Sequence, residues 1–171
     1  MVKRIFSYFF ILLVLIGIFA FQVYVIDSRE LFGIKPNIVL ISVIVMSLWY
    51  GLNAGSIYGL IIGIITDILF GNTYGIYTMS YTVVGSVIGY LNYNYRKESK
   101  ASLSYLTIFG TCIFEFVQYI IYLFQSTSST GIFYLILQMV ISSSLNVILA
   151  FILYGVFARI SSYAEKNILY Y

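Results

Sequence analysis

Apolar segments free of Lys, Arg, Asp and Glu run over residues 5–25, 38–66, 68–95, 101–114 and 116–158, and polar residues collect in short islands between them. A helix needs about 20 residues to cross a bilayer. The run over 38–70 is broken only by Asp67 and is too long for one crossing without severe tilt. Its polar or flexible punctuation is Gly51, Leu52 and Asn53, so it is expected to turn back there. The pattern predicts an all-α polytopic membrane bundle of about six transmembrane helices, spans 1 to 6, at about 5–26, 37–51, 53–70, 74–93, 102–124 and 131–157. They form a single integral membrane domain over 1–171, with very short connections.

Composition supports the same class: 61% of residues are hydrophobic and 9% are charged, more apolar sequence than a soluble fold of this size needs. The opening stretch, Lys3 and Arg4 before apolar residues, mimics a signal peptide. It is long enough to span, lacks a convincing small-x-small cleavage site and is followed by further spans, so it reads as a retained first helix. With six spans both termini share a side. Lys3, Arg4, Arg96, Lys97, Lys100, Arg159 and Lys166 fall on it, and only Arg29 and Lys35 fall opposite. The positive-inside rule then places both termini in the cytoplasm. The net charge of +3 reports this orientation rather than nucleic-acid binding, because the charges form no binding stripe. Tyr50, Tyr74, Tyr77, Tyr90, Tyr93 and Tyr95 cluster near predicted span ends, where an aromatic ring with a hydroxyl suits the headgroup region.

A second period lies inside the apolar one. Gly51, Gly55, Gly59, Gly63, Asp67, Gly71 and Gly75 fall four residues apart. Positions four apart share a helix face, and glycine there lets another backbone approach for van der Waals packing. Each step of four drifts about 40° around the helix, so the stripe winds and can serve two neighbours in succession. Gly55, Gly59 and Gly63 make the main seam, and Gly85 and Gly89 offer a second in span 4. Either another span of this chain or a different protein can fill such a seam. Gly51, Gly71 and Gly75 are expected at turns.

The polar groups within the apolar layer are few. Unpaired carboxylates at membrane depth cost several kcal/mol or more, so Asp67 and Glu115 are each expected near an interface, paired, protonated or in a polar cavity, facing away from lipid. For Asp67 one reading is a carboxylate that accepts from turn amides around Gly71 and fixes the connection of spans 3 and 4; the other is a partner contact. For Glu115 one reading is a hydrogen bond with Gln118 or with Asn146 in span 6; the other is a proton- or ligand-coupled role. Ser142, Ser143, Ser144 and Asn146 put hydrogen-bonding groups on one stretch of span 6. The segment 161–171 reads as lying on the cytoplasmic face.

Enzyme chemistry has little to stand on. There is no histidine, one cysteine (Cys112), no HExxH, no Walker loop, and no Ser-His or Cys-His set. The chain is therefore expected to be no enzyme and to carry no metal and no cofactor. A carboxylate pair is also disfavoured, since Asp67 and Glu115 fall at different predicted depths.

The residues reached above resemble the rod-shape-determining protein MreD family of the bacterial inner membrane. The resemblance lies in Lys35, Pro36 and Asn37 opening span 2, the Gly55, Gly59 and Gly63 series leading to Asp67, and Gly75 opening span 4. It continues in Gly85-x3-Gly89-Tyr90-Leu91 near that span's end and in Asn146 as the polar position of the last helix. It implies a non-enzymatic component of the cell-elongation machinery (elongasome), which organises side-wall peptidoglycan synthesis and cell shape. The implied partners are an MreC-like bitopic protein, an MreB-like filament and the side-wall glycosyltransferase and transpeptidase. The implied fold is similar to the substrate-binding membrane subunits of energy-coupling-factor transporters. Lateral helix contacts would carry the function, with Gly55, Gly59, Gly63 and Asp67 on the expected surface and the segment 96–100 meeting filament or anionic lipid. The rival reading is a transporter subunit that binds a small molecule, which requires Glu115, Ser143 and Asn146 to converge around a cavity.

Overall fold

The computed structural model describes residues 17, 22, 36–70, 75–92, 99–125 and 131–164. Most of span 1, the segment 27–35, Gly71, the basic segment 93–98 and the end of the chain beyond 164 lie outside the described residues. The described chain is helical throughout: α1 Ile38–Phe70, α2 Ile76–Leu91, α3 Lys100–Gln125 and α4 Ile132–Ala164. Stretches within α1, α3 and α4 are long and apolar enough to cross a membrane, whereas α2 is a shorter apolar helix.

α1 is one helix in hydrogen-bonding pattern and two in shape. Gly51 sits inside it at φ 82° and ψ −169°, a conformation that side-chain-bearing residues avoid. At 1.5 Å per residue a straight helix would separate Ser42 from Tyr58 by about 24 Å, yet their hydroxyls are 3.0 Å apart. The two arms, 38–50 and 52–70, therefore fold back on each other at Gly51. Asn92, which caps the end of α2, closes this turn from outside by donating from Nδ2 to the Leu48 carbonyl at 3.5 Å.

The first arm is the axis of the bundle. Ile38, Leu40, Ile41, Val43, Ile44 and Leu48 are all buried, so the arm is covered on every side, consistent with its apolar residues all round. Val39, Val43, Ile44 and Leu48 pack with Ile62 of the second arm, with Tyr81, Val84 and Ile88 of α2, and with Leu106 and Phe114 of α3. On its other flank Ile41 and Val45 meet Leu103 and Ala150, the latter on α4. Tyr81 stacks on Phe114 with ring centroids 5.0 Å apart, tying α2 to α3.

The glycine seam is filled by the next helix. The Gly55 and Gly85 backbones meet; a Cβ on Gly55 would lie 2.7 Å from the Gly85 carbonyl oxygen and would also strike Ser47. One on Gly59 would strike the Tyr81 carbonyl, one on Gly63 would lie 2.5 Å from the Thr78 Cα, and one on Gly89 would lie 2.6 Å from the Leu52 Cα. These contacts run in opposite chain directions, so the second arm and α2 pack antiparallel at backbone distance, where dispersion replaces hydrophobic drive. The stripe faces inward, away from the lateral surface on which the resemblance placed it.

Candidate functional site: a buried polar seam

The polar residues of the interior form a connected seam that starts where the first arm begins. Asn37 precedes α1, and its Oδ1 accepts from the Leu40 amide at 2.8 Å, an N-cap at the helix's third residue. Two other orphan donors of that helix start are met from elsewhere. Gln22 Oε1 accepts from the Ile38 amide at 2.8 Å, and Asn146 Oδ1 accepts from the Asn37 amide at 2.8 Å. Gln22 also donates to the Pro36 carbonyl at 3.1 Å. The Tyr81 hydroxyl accepts from Asn37 Nδ2 at 3.0 Å and lies 3.2 Å from its Oδ1. A helix start left bare in the apolar layer would be costly; this one is capped by side chains from three parts of the chain.

Asn146 carries the seam onward. Its Nδ2 donates to Thr111 Oγ1 at 3.1 Å, and Thr111 in turn donates to the Thr107 carbonyl at 2.8 Å. Thr107, Thr111 and Glu115 recur every four residues on α3, and Gln138, Ser142 and Asn146 do so on α4. The two rows face each other, since Asn146 meets Thr111 and Gln138 Nε2 donates to Glu115 Oε2 at 2.7 Å. Ser142 is buried between these rungs with its hydroxyl toward the Glu115 carboxyl, and Thr107 is buried one turn beyond the Asn146–Thr111 rung, where its hydroxyl has no hydrogen-bond partner among the described residues.

This pairing corrects the expectation for Glu115: its partner is Gln138, across the helix pair, rather than Gln118 or Asn146. Asn146 is engaged one turn lower by Asn37 and Thr111. Ser143 is buried and lies 3.9 Å from the Cys112 sulfur, on a separate line of the same interface. The three residues a ligand site would need thus have three different sets of partners. A groove of about 510 Å³ does open beside α3 and α4, lined by Cys112, Ser143, Ser144 and aliphatic residues, but neither Glu115 nor Asn146 lines it. Among the described residues no three His, Cys, Asp or Glu side chains are grouped to hold a metal.

Asp67 lies apart from the seam and is also buried. Its Oδ1 accepts from the Tyr77 amide at 3.0 Å, and its Oδ2 accepts from the Thr78 amide at 2.9 Å and from the Thr78 hydroxyl. These are amides of the first turn of α2; the amides around Gly71 lie outside the described residues. Gly75, at φ 95°, occupies the N-cap and has no side chain to offer. Asp67 supplies the missing cap from the preceding helix, and its carboxyl oxygens sit at the positive end of the α2 dipole.

Several members of the seam were not singled out by the sequence reading: Gln22, Tyr81, Thr111 and Gln138. The four-residue spacing of the two facing rows was the available signal. Gly110 was also missed; a Cβ there would lie 2.8 Å from Ile44 Cδ1, so α3 approaches the axial arm closely.

Comparison with curated proteins and with solved structures finds no match. A family model does match, that of the rod shape-determining protein MreD, over residues 3–160. That span contains the first-arm cap at Asn37, the glycine seam, Asp67 and both rows of the polar ladder, and the chain belongs to the rod shape-determining protein MreD family.

Proposed function

We propose that this protein is a non-enzymatic membrane scaffold of the cell-elongation machinery, which organises side-wall peptidoglycan synthesis through lateral helix contacts. Membership of a rod shape-determining family supplies the process. The observation that carries the scaffold reading is how the polar groups are used: Asn37, Asn146, Glu115 and Asp67 are engaged by other residues of the chain, while the outward side of the second arm is an aliphatic ridge. Ile57, Ile61, Ile64, Ile65 and Ile68 are exposed along it. Such a body offers helix faces for association and spends its hydrogen bonds on its own rigidity.

Under this reading the chain crosses the bacterial inner membrane six times, with α1 contributing two crossings through its turn at Gly51 and both termini in the cytoplasm. The likeness in span count to energy-coupling-factor substrate-binding subunits concerns architecture and not ligand binding. The main partner is a bitopic MreC-like protein whose transmembrane helix lies against the bundle. An MreB-like filament and the side-wall glycosyltransferase and transpeptidase complete the assembly. The glycine seam supports the bundle, and the partner meets an outward face.

The test is gentle isolation of the protein from its native membrane at native abundance, followed by quantitative mass spectrometry. Near-stoichiometric recovery of a bitopic elongation protein is expected. Recovery instead with paired cytoplasmic ATPases and a membrane coupling subunit would replace the scaffold by a substrate-capture module.

A further inference from the structure

The helices of this bundle differ in length according to which side of the molecule they form. α2 has 16 residues, which is about 24 Å of helix, and the hydrocarbon core of a typical bilayer is about 30 Å thick. Its ends are fixed by polar ties. At one end the Thr78 amide and hydroxyl are bound to Asp67, and at the other the Asn92 side chain donates to the Leu48 carbonyl and lies against Gly51. Thr78 and Asn92 are fourteen positions apart, and so are Asn53 and Asp67 on the antiparallel arm; each interval is about 21 Å of helix. Close backbone packing along the glycine seam keeps the two segments in register, so neither can lengthen its apolar band by sliding past the other.

The helices α3 and α4 are built differently. On α3 large apolar side chains are exposed from Tyr105 to Phe124, and on α4 from Ile132 to Ile152; these stretches are about 29 and 30 Å long. They match an ordinary bilayer, and α2 falls short of it.

We propose that α2 forms a thin sector of the protein's perimeter, which draws the two lipid surfaces together beside it and selects phospholipid with short acyl chains. Tilting relieves a helix that is too long, whereas a short one is accommodated by a thinner bilayer, by snorkelling flanks or by association. α2 has Gly75 at its start and carries no charged side chain between Ile76 and Leu91. The exposed Tyr90 ring, near its last turn, sets a hydroxyl-bearing aromatic at the narrowed surface.

Two single-tryptophan variants of the full chain test this, because Trp49 is the sole tryptophan. Trp49→Phe with Val83→Trp reports on α2, and Trp49→Phe with Phe109→Trp reports on α3; both new positions are exposed. Each is reconstituted in phosphatidylcholine vesicles, and relative lipid affinity is read by competition with brominated lipid that quenches tryptophan. With chains of about 14 to about 22 carbons, affinity at α2 is expected to peak at the short end and to fall about threefold or more toward the long end. The α3 reporter should peak at longer chains. Loss of chain-length dependence at α2, or the same optimum at both positions, would overturn the proposal; circular dichroism of each variant confirms that the helices are intact.

Discussion

The backbone amide of Asn37 donates to the side-chain oxygen of Asn146 at 2.8 Å, which joins the start of the axial arm to the last helix across 109 positions. Replacing Asn146 by Leu removes the acceptor and leaves that part-buried amide without it. The expected loss is about 1–3 kcal/mol of stability, read as a lower unfolding midpoint in detergent or vesicles. Thr111→Val removes only the second rung and should cost about 0.6 kcal/mol, near the mean for interhelical hydrogen bonds in membranes. Equal effects of the two variants would show that Asn146 acts through Thr111 rather than through Asn37.

At the same end of the bundle, where the second arm returns, Asp67 replaces the cap that Gly75 lacks. Asp67→Ala should cost about 1–2 kcal/mol, in the range of lost N-caps. The defect should be local before it is global: hydrogen exchange at Tyr77 and Thr78 should accelerate first, while the interior of α1 keeps its protection. Asp67→Asn presents one oxygen and one amide to two backbone donors and should recover only part of the loss. A carboxylate that served only as a partner contact would leave exchange at Tyr77 and Thr78 unchanged in the isolated protein.

Much of this organisation is legible in the sequence because it rests on local spacing. Gly51 marks a turn between two apolar runs, and Gly55, Gly59 and Gly63 mark a seam, since each signal needs only neighbouring residues. The pairing of distant side chains is a different matter. Nothing local to Glu115 says that it meets Gln138 rather than Gln118, because that depends on how α3 and α4 rotate and slide against each other. Asp67 likewise reaches past the connection to Tyr77 and Thr78, a reach that depends on the register of the seam. Gln22 was illegible as a cap because it lies fourteen and sixteen residues before the groups it binds.

The seam itself separates packing from partner binding. Gly59→Leu drives a side chain into the Tyr81 carbonyl and cannot be relieved by a rotamer change, because the obstacle is backbone. Overpacking of this kind costs about 1–3 kcal/mol or more, so the purified variant should unfold earlier with no partner present. Ile61→Ala, on the outward ridge, should leave the unfolding midpoint within about 0.5 kcal/mol of the parent. If the ridge meets the bitopic partner, Ile61→Ala lowers partner recovery without lowering stability. A Gly59→Leu protein of unchanged midpoint would mean that the seam is open.

Glu115 and Gln138 offer a cleaner comparison, because the carboxyl and the carboxamide have nearly the same shape. Glu115→Gln keeps an oxygen that can accept from Gln138, and its stability should stay within about 1 kcal/mol of the parent. Glu115→Leu removes the acceptor and strands the half-buried Gln138 amide, with an expected loss of about 1 kcal/mol or more. Cell-shape complementation by both variants would place Glu115 in packing. Failure of Glu115→Gln with an unchanged unfolding midpoint would assign the carboxyl itself a role in function.

The fold-back at Gly51 makes a topological prediction that needs no partner. Because Ser42 and Tyr58 meet, the tip at Asn53 and the far end of the second arm lie at opposite ends of the bundle. In a chain whose single cysteine is replaced, Cys112→Ala, a new cysteine at Asn53 should react with an impermeant thiol reagent from the cytoplasmic side, as should one at Lys97. A cysteine at Asn72 should react from the opposite side. The Gly51 conformation makes the same point energetically: Gly51→Ala places a Cβ in a positive-φ, extended-ψ region that is essentially glycine's alone, at a cost of about 1–3 kcal/mol, and a chain that ran straight through this position would tolerate alanine or gain from it. Labelling of Asn53 and Asn72 from one side, together with a neutral Gly51→Ala, would require the second arm not to cross the membrane, and the six-crossing arrangement would fail with it.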